Sequence, residues 1–383
     1  RRGAKQESFD LRSSSSESVS STRMNSKRHE CHRFNRHAQY QHQQNQLMLV
    51  ILVNLFVAGL ASSAVAAFTS VAPERTPSVA NAASPNPNEI FASHVDKGKL
   101  GGDTALLTYL EINGWLLSIG GVTILIDPIL EGALDFGIPA IYSASKRSLP
   151  STGLCESLPP IDCLLITQGL DDHAHERTLK KLAMLDGSVT IVAPPSARNT
   201  LEKSGFDSGD NIRYVRPGDD TVVNQRNNGN ERDADRGVTI RATSGALVGP
   251  PWQARENGYI IRSSSSKGPS VYIEPHVEYN VKELKREAPV DVVITPISGQ
   301  GLPAFELVHG PNDALQLVQI LRPKYVVPMP NGEIDADGLA SPLVQSVGTP
   351  EEFTRMLLRL QRQGESKAQI VNTIPGEGII LPK

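Results

Sequence analysis

Cysteine is nearly missing from this 383-residue chain, where Cys31, Cys155 and Cys163 are the only three. A disulfide framework is therefore excluded, and Cys163, inside the apolar run "CLLIT", reads as a buried small hydrophobe. Basic excess is missing too: 38 Lys/Arg stand against 41 Asp/Glu, for a net charge of −3. Residues 1–67 hold nine Lys/Arg and four Asp/Glu, so they carry +5 and leave −8 on the remainder. An acidic body without a basic stripe argues against nucleic acid as a partner. No internal repeat is visible, and only the run from Leu47 onward is apolar for long enough to raise the question of a membrane.

Met24, expected as the start of translation, precedes a basic flank of Lys27, Arg28, Arg33 and Arg36. The apolar stretch Leu47 to Leu60 follows, then small residues and an A-x-A-like site at Val65 to Ala67. This order reads as a signal peptide, and Asn54, Ser62 and Ser63 weaken the rival reading of a bilayer anchor. The residues ahead of it, with "LRSSSSESVSS", are too polar to order themselves. From Phe68 the chain is rich in Ser, Thr, Ala and Pro and poor in acid. Across the cut, "VAAFTSVAP" resembles the bipartite presequence of algae with complex plastids, which implies plastid (chloroplast) localisation. The expected organisation is a disordered leader plus signal peptide over 1–67, a transit-like linker over 68–95 and one domain over 96–383. No membrane association is expected of the mature form.

Short branched-residue runs bounded by turn signals dominate from Leu106 onward. "LLTYLEI", "WLLSI", "VTILID", "CLLIT", "SVTIVAP", "NIRYV", "GVTIRATS", "NGYIIRS", "PSVYIEP", "DVVITP" and "KYVVPM" read as strands, with "INGW" and "IGGV" as tight turns. Helices are expected at "HERTLKKLAML", with Leu179, Leu182 and Leu185 on one face, and at "GPNDALQLVQIL", with Pro311 in its first turn. A third, "TPEEFTRMLLRLQRQ", has Thr349 as its cap. Asn227 to Gly237 reads as a solvated insertion between strands. The pattern points to a layered α/β domain.

The stretches "VTILIDPIL", "LLITQGLDDHAH", "ATSGALVGPPW", "VYIEPH" and "YVVPMPNG" fall in the order of the metallo-β-lactamase fold. Over Leu106 to Val371 the chain resembles its metallo-hydrolase/oxidoreductase branch, most of all plastid members of plants and algae. The resemblance implies an αββα four-layer sandwich with metals at the strand ends between the sheets. It also implies a Thr-His-x-His-x-Asp-His motif, of which Thr167, Asp172 and His173 match while Gln168 and Leu170 replace two His ligands. Ala246 stands where another His is expected, His276 about where a bridging Asp is expected, and Pro330 or Asn331 in place of the last His. Asp127 matches an early Asp that orders loops.

Histidine is scarce as well. Beyond Phe68 there are five: His94 in the polar lead-in, His173, His175, His276, and His309 just ahead of a helix start. A dinuclear hydrolytic centre needs more N/O ligands than that, and Leu170 and Ala246 can supply none. One zinc or iron ion remains possible on Asp172, His173 and His276, with His175 or Glu274 as spare ligand or base. Asp172 and Glu274 are then the candidate catalytic groups. Against this, Asp172 reads equally as a helix N-cap, His173 and His175 as polar-turn residues, and Glu274 to His276 as a surface strand end. In "GPPWQARENGY", Trp252 either offers a substrate platform beside Arg255, or covers the core on a loop stiffened by Pro250 and Pro251, the latter being preferred. Asn331 and Glu333 are further candidates for the cleft. The leading expectation is a metallo-hydrolase-type protein with at most one metal, acting on an unidentified small molecule or protein. The rival is a non-catalytic plastid binding or assembly factor.

Overall fold

The computed structural model describes residues 87–95, 103–206, 209–226, 236–248, 252–303, 305–330 and 334–383. The leader, the presequence around Phe68, most of the Asn227 to Gly237 insertion, and Asn331 to Glu333 lie outside the described residues. The first half runs β1 (Thr104–Tyr109), β2 (Trp115–Ile119), β3 (Val122–Ile126), β4 (Ser143–Ser145), β5 (Cys163–Leu165), β6 (Thr190–Ala193) and β7 (Ile212–Tyr214). The chain then passes through β8 (Asp220–Asn224), β9 (Gly237–Ser244), β10 (Asn257–Ser263), β11 (Ser270–Ile273), β12 (Val292–Pro296), β13 (Gly299–Leu302) and β14 (Phe305–Val308). It closes with β15 (Tyr325–Met329), β16 (Asp335–Asp337), β17 (Gln345–Val347), β18 (Gln369–Ile370) and β19 (Gly378–Pro382).

Two mixed seven-stranded sheets result, in the orders β19-β1-β2-β3-β5-β6-β7 and β18-β15-β12-β11-β10-β9-β8. Period-two alternation makes them layers. In β2, Trp115, Leu117 and Ile119 join the core between the sheets while Leu116 faces the outer cluster. In β10, Tyr259 and Ile261 point inward and Ile260 outward. Helices cover both outer faces. Leu179 of Glu176–Asp186 and Leu201 of Arg198–Lys203 pack on the first sheet. Leu284 of Val281–Glu287, Leu317 of Pro311–Leu321 and Phe353 of Pro350–Gln363 pack on the second. This is the αββα sandwich expected from the sequence.

The expected strands and the three expected helices are present, and Thr349 accepts from the Glu352 amide as a cap should. Pro87–Ile90 and Ala92–Val95, at the end of the stretch read as linker, are short helices, and Ile90 and Phe91 are buried in the outer core. His94 is no lead-in residue: it is fully buried, 2.9 Å from both Ser118 Oγ and Thr108 Oγ1. Leu185 departs from its expected face and is 51% exposed. Trp252, read as a core cover, is 86% exposed. In "IGGV" Gly120 and Gly121 both take positive φ, and a Cβ on Gly120 would meet Gly237 O at 2.5 Å, so the β2–β3 hairpin requires glycine there. Among the described residues no helix is long and apolar enough to cross a membrane.

Candidate metal centre

Six segments leaving strand ends converge on one cleft. They follow β1, β5, β9, β11, β12 and β15, and they contribute Asn113, Gln168, Ala246, His276, Gln300 and Pro330, respectively, to a cleft of about 210 Å³. The paired strands β13 and β14 add Leu302, Glu306, Leu307 and Val308 to its lining.

Its organising group is Asp127, set just past β3 with φ +41°. One carboxylate oxygen accepts from the Thr167 amide at 2.8 Å, and the other faces the Thr167 hydroxyl and His173 Nδ1, the latter also at 2.8 Å. The loop after β5 is thereby tied to β3, and the His173 ring is oriented with Nε2 toward Asp172 Oδ2, 3.2 Å away. Gly169 lets this loop pass the Ser196 backbone, where a Cβ would lie 2.5 Å from Ser196 C. Asn113 stands in the β1–β2 hairpin turn expected from the sequence, which the Gly114 amide closes on the Glu111 carbonyl at 3.0 Å. Its side chain donates to the Asp172 carbonyl at 2.9 Å and approaches His173 Nε2 at 3.4 Å. Nothing local in "INGW" signals that role; it depends on a contact 59 residues away.

His173 is completely buried, which works against its charge, but Asp172 and Asp127 outweigh burial and raise it to about 10. Burial likewise works against Asp172 as an anion, yet His173, and then His276, hold its carboxyl below the usual carboxylate range. His276 reaches the same point from the second sheet. Glu274, itself buried, accepts from the His276 and Glu278 amides at 3.1 and 2.9 Å and so fixes the turn that carries the ring. Gln168 donates to His276 Nδ1 at 2.8 Å. The ring centroids of His173 and His276 are 5.2 Å apart.

Asp172, His173 and His276 each present a ligand atom, and these atoms all lie within 4.8 Å of one another. Asp172 Oδ1, Gln168 Oε1 and Glu274 Oε1 are buried without a hydrogen-bond partner. Buried, unpaired oxygens are costly, and a single cation at this point fits the donor set. The other sequence candidates are placed differently. His175 stands outside the cluster, with Nδ1 2.8 Å from Thr178 Oγ1, and burial pushes it down to about 4. The helix Glu176–Asp186 takes its first-turn amide contact from Asp171 at 3.1 Å, so Asp172 is free of capping. His309 faces Glu306 and Asp313 at 3.8 and 3.7 Å. Arg255 is held by the Gly245 carbonyl and Glu278. Leu170 and Ala246 line the cleft beside Gln168 and supply no donor.

No curated protein matches the chain. Among solved structures it is similar to the metallo hydrolase Igni18 of Ignicoccus hospitalis, at 18% identity over 73% of this chain and 99% of that one, with a TM-score of 0.46. It is similar also to CmlA, a diiron beta-hydroxylase from Streptomyces venezuelae, at 17% identity over 73% of this chain and 54% of that one, TM-score 0.49. A third is an isothiocyanate hydrolase from Delia radicum gut bacteria, at 18% identity over 72% of this chain and 98% of that one, TM-score 0.46. The model of the beta-lactamase superfamily domain matches residues 106–330, more than half of the chain and all six cleft-forming segments, and the chain belongs to that superfamily.

Proposed function

We propose that this protein is a metallo-hydrolase-type enzyme with a one-metal centre, in which Asp172, His173 and His276 hold a single zinc or iron ion. The observation that carries the reading is the convergence of those three ligand atoms around the unpaired Asp172 Oδ1. Two histidines and one carboxylate with open positions suit either metal. A zinc ion so held would supply a Lewis acid and acidify bound water, to a pKa of ~7 in well-studied zinc sites. The chain's own residues do the rest. Asp127 backs His173 and fixes its ring, as carboxylates behind ligating histidines do. Glu274 positions His276, and its unpaired Oε1, 3.7 Å from His276 Nδ1, is the group placed to hold or pass a proton. Asn113 and Gln168 orient the two rings from either side.

One observation favours the rival, a non-catalytic plastid binding or assembly factor: His173 already has a carboxylate on each ring nitrogen and is satisfied without an ion. The plastid address itself rests on the residues around Phe68. A reporter fused to residues 24–95 should reach the plastid, and Phe68→Ala should strand it outside the inner compartment; unchanged import of that variant would remove the address.

Equilibrium dialysis against zinc and then iron(II), followed by elemental analysis, tests the metal reading. One ion per chain is expected, falling below a tenth in Asp172→Ala and His276→Ala. No ion would overturn the metal centre, and two would overturn the one-metal count.

A further inference from the structure

Charge and shape in the cleft restrict what can enter it. Among the described residues that line it there is no Lys or Arg, and its carboxylates are Asp172, Glu278 and Glu306. The nearby cation Arg255 is engaged by Glu278 and the Gly245 carbonyl. A phosphate, sulfate or carboxylate entering here would meet acidic walls with no guanidinium fork or ammonium to receive it. Leu170 and Ala246, which cannot ligate, sit in the same lining as Gln168, Asp172 and His276. An apolar shelf therefore abuts the polar cluster directly. It continues into Leu247 and Val308 and into the Phe136 and Tyr142 rings, whose centroids are 6.1 Å apart.

Exposed apolar residues stand close in sequence to the lining. Ile138, Trp252 and Leu339 are 40%, 86% and 72% exposed. Ile138 lies between Phe136 and Tyr142, Trp252 follows the segment of Ala246 to Val248, and Leu339 adjoins Ala340, all of which line the cleft. A cleft lined largely by hydrocarbon that also holds one small polar cluster is complementary to a molecule with one apolar body and one polar end.

We propose that the substrate of this site is an uncharged amphipath. Its hydrocarbon or aromatic body would lie on the Leu170–Ala246 shelf, with an ester- or amide-type group presented to Asp172, His173 and His276. The inference rests on reading that cluster as the reacting end of the cleft. Hydrolysis of such a bond adds water across the acyl–heteroatom bond, giving a carboxylic acid and an alcohol or amine, and needs no oxidant.

Titration calorimetry on the chelator-treated full chain tests this with three probes: N-octylacetamide, octyl phosphate and acetamide. N-octylacetamide should bind at least tenfold more tightly than either of the others. Leu170→Lys should weaken N-octylacetamide at least tenfold and strengthen octyl phosphate. Should that variant not fold, the uncharged Leu170→Asn should still weaken N-octylacetamide severalfold. Octyl phosphate or acetamide binding as tightly as N-octylacetamide would overturn the proposal, as would unchanged affinity in a folded Leu170 variant. Metal uptake is read separately on the same preparation, so the two readings fail independently. Amphipath binding without any metal uptake removes the metal centre and keeps the ligand class; metal uptake without amphipath binding removes the class alone.

Discussion

On one side of the cleft Asp127 braces His173, Glu274 fixes the turn of His276, and Asn113 and Gln168 steady both rings. On the other side stand Leu170 and Ala246, with Leu247, Val308, Phe136 and Tyr142 in the same lining. The two sides share the same sheets and the same strand ends, so the backbone does not account for the difference. The side-chain contacts named for the first side all hold the two histidines, whereas Ala246 is held through its backbone by Glu256. The buried Asp127 carboxylate is tolerated because the Thr167 amide, the Thr167 hydroxyl and His173 pair it.

Breaking each side in turn sharpens the contrast. The largest effect is expected from Asp127→Ala, which strips a partner from a buried His173 and leaves the Thr167 amide unsatisfied. Chemical denaturation should show a loss of about 3 kcal/mol or more; a loss below about 1 kcal/mol would mean that this side is not braced as described.

On the other side, Ala246 is braced by Glu256, whose backbone exchanges hydrogen bonds of 2.8 and 2.9 Å with Gly245 and Ala246. Burial pushes the Glu256 carboxyl up to about 7, against the Ser196 hydroxyl hydrogen bond, which lowers it. A carboxyl raised in the native state binds more protons there than in the unfolded chain. Stability from this group is therefore greatest at acid pH and falls as pH rises from the ordinary glutamate value through about 7. Glu256→Gln should flatten that decline and gain roughly 2 kcal/mol over the native protein at pH 8. Parallel stability–pH curves for the two proteins would contradict the burial account.

The smallest effect is expected from Leu170→His and Ala246→His. Leu170 is half-buried, and Ala246 is buried but lines the cleft, into which a larger side chain can turn, so the pair should cost about 1 kcal/mol. With Gln168 unchanged, metal content should stay at one ion per chain. Recovery of a second ion in the double variant would show that the lost side is still organised for ligation.

Much of this was legible in the residues, and the reasons are specific. The strands were legible as short apolar runs bounded by turn signals, because β2 and β10 are buried on both faces by different partners. Thr167, Asp172 and His173 were legible because they sit together in the chain, and His276 because it closes a strong strand. The bracing was not. Asn113 and Glu256 act through partners 59 and 60 residues away, and their neighbours read as turn and loop. His175 lies two positions from His173 and reads as a spare ligand, but its ring faces Thr178 at the helix start. The small strands β4, β13, β14, β16 and β17 were not legible because they are short, and β4–β16 and β13–β17 pair distant segments; β13 and β14 line the cleft. Trp252 reads as core in sequence because tryptophan is a large apolar residue, whereas it stands in solvent.

The most direct test of the one-metal account is the melting temperature of zinc-loaded protein with and without a chelator. An ion present at a hundredfold excess over its dissociation constant stabilises the native state by about 2.7 kcal/mol. For a domain of this size that corresponds to roughly 5 °C. Chelator should lower the melt by about that amount, and His276→Ala should abolish the response. A native protein whose melting temperature ignores the chelator, and which carries no metal on elemental analysis, would contradict the account and leave the non-catalytic binding protein in its place.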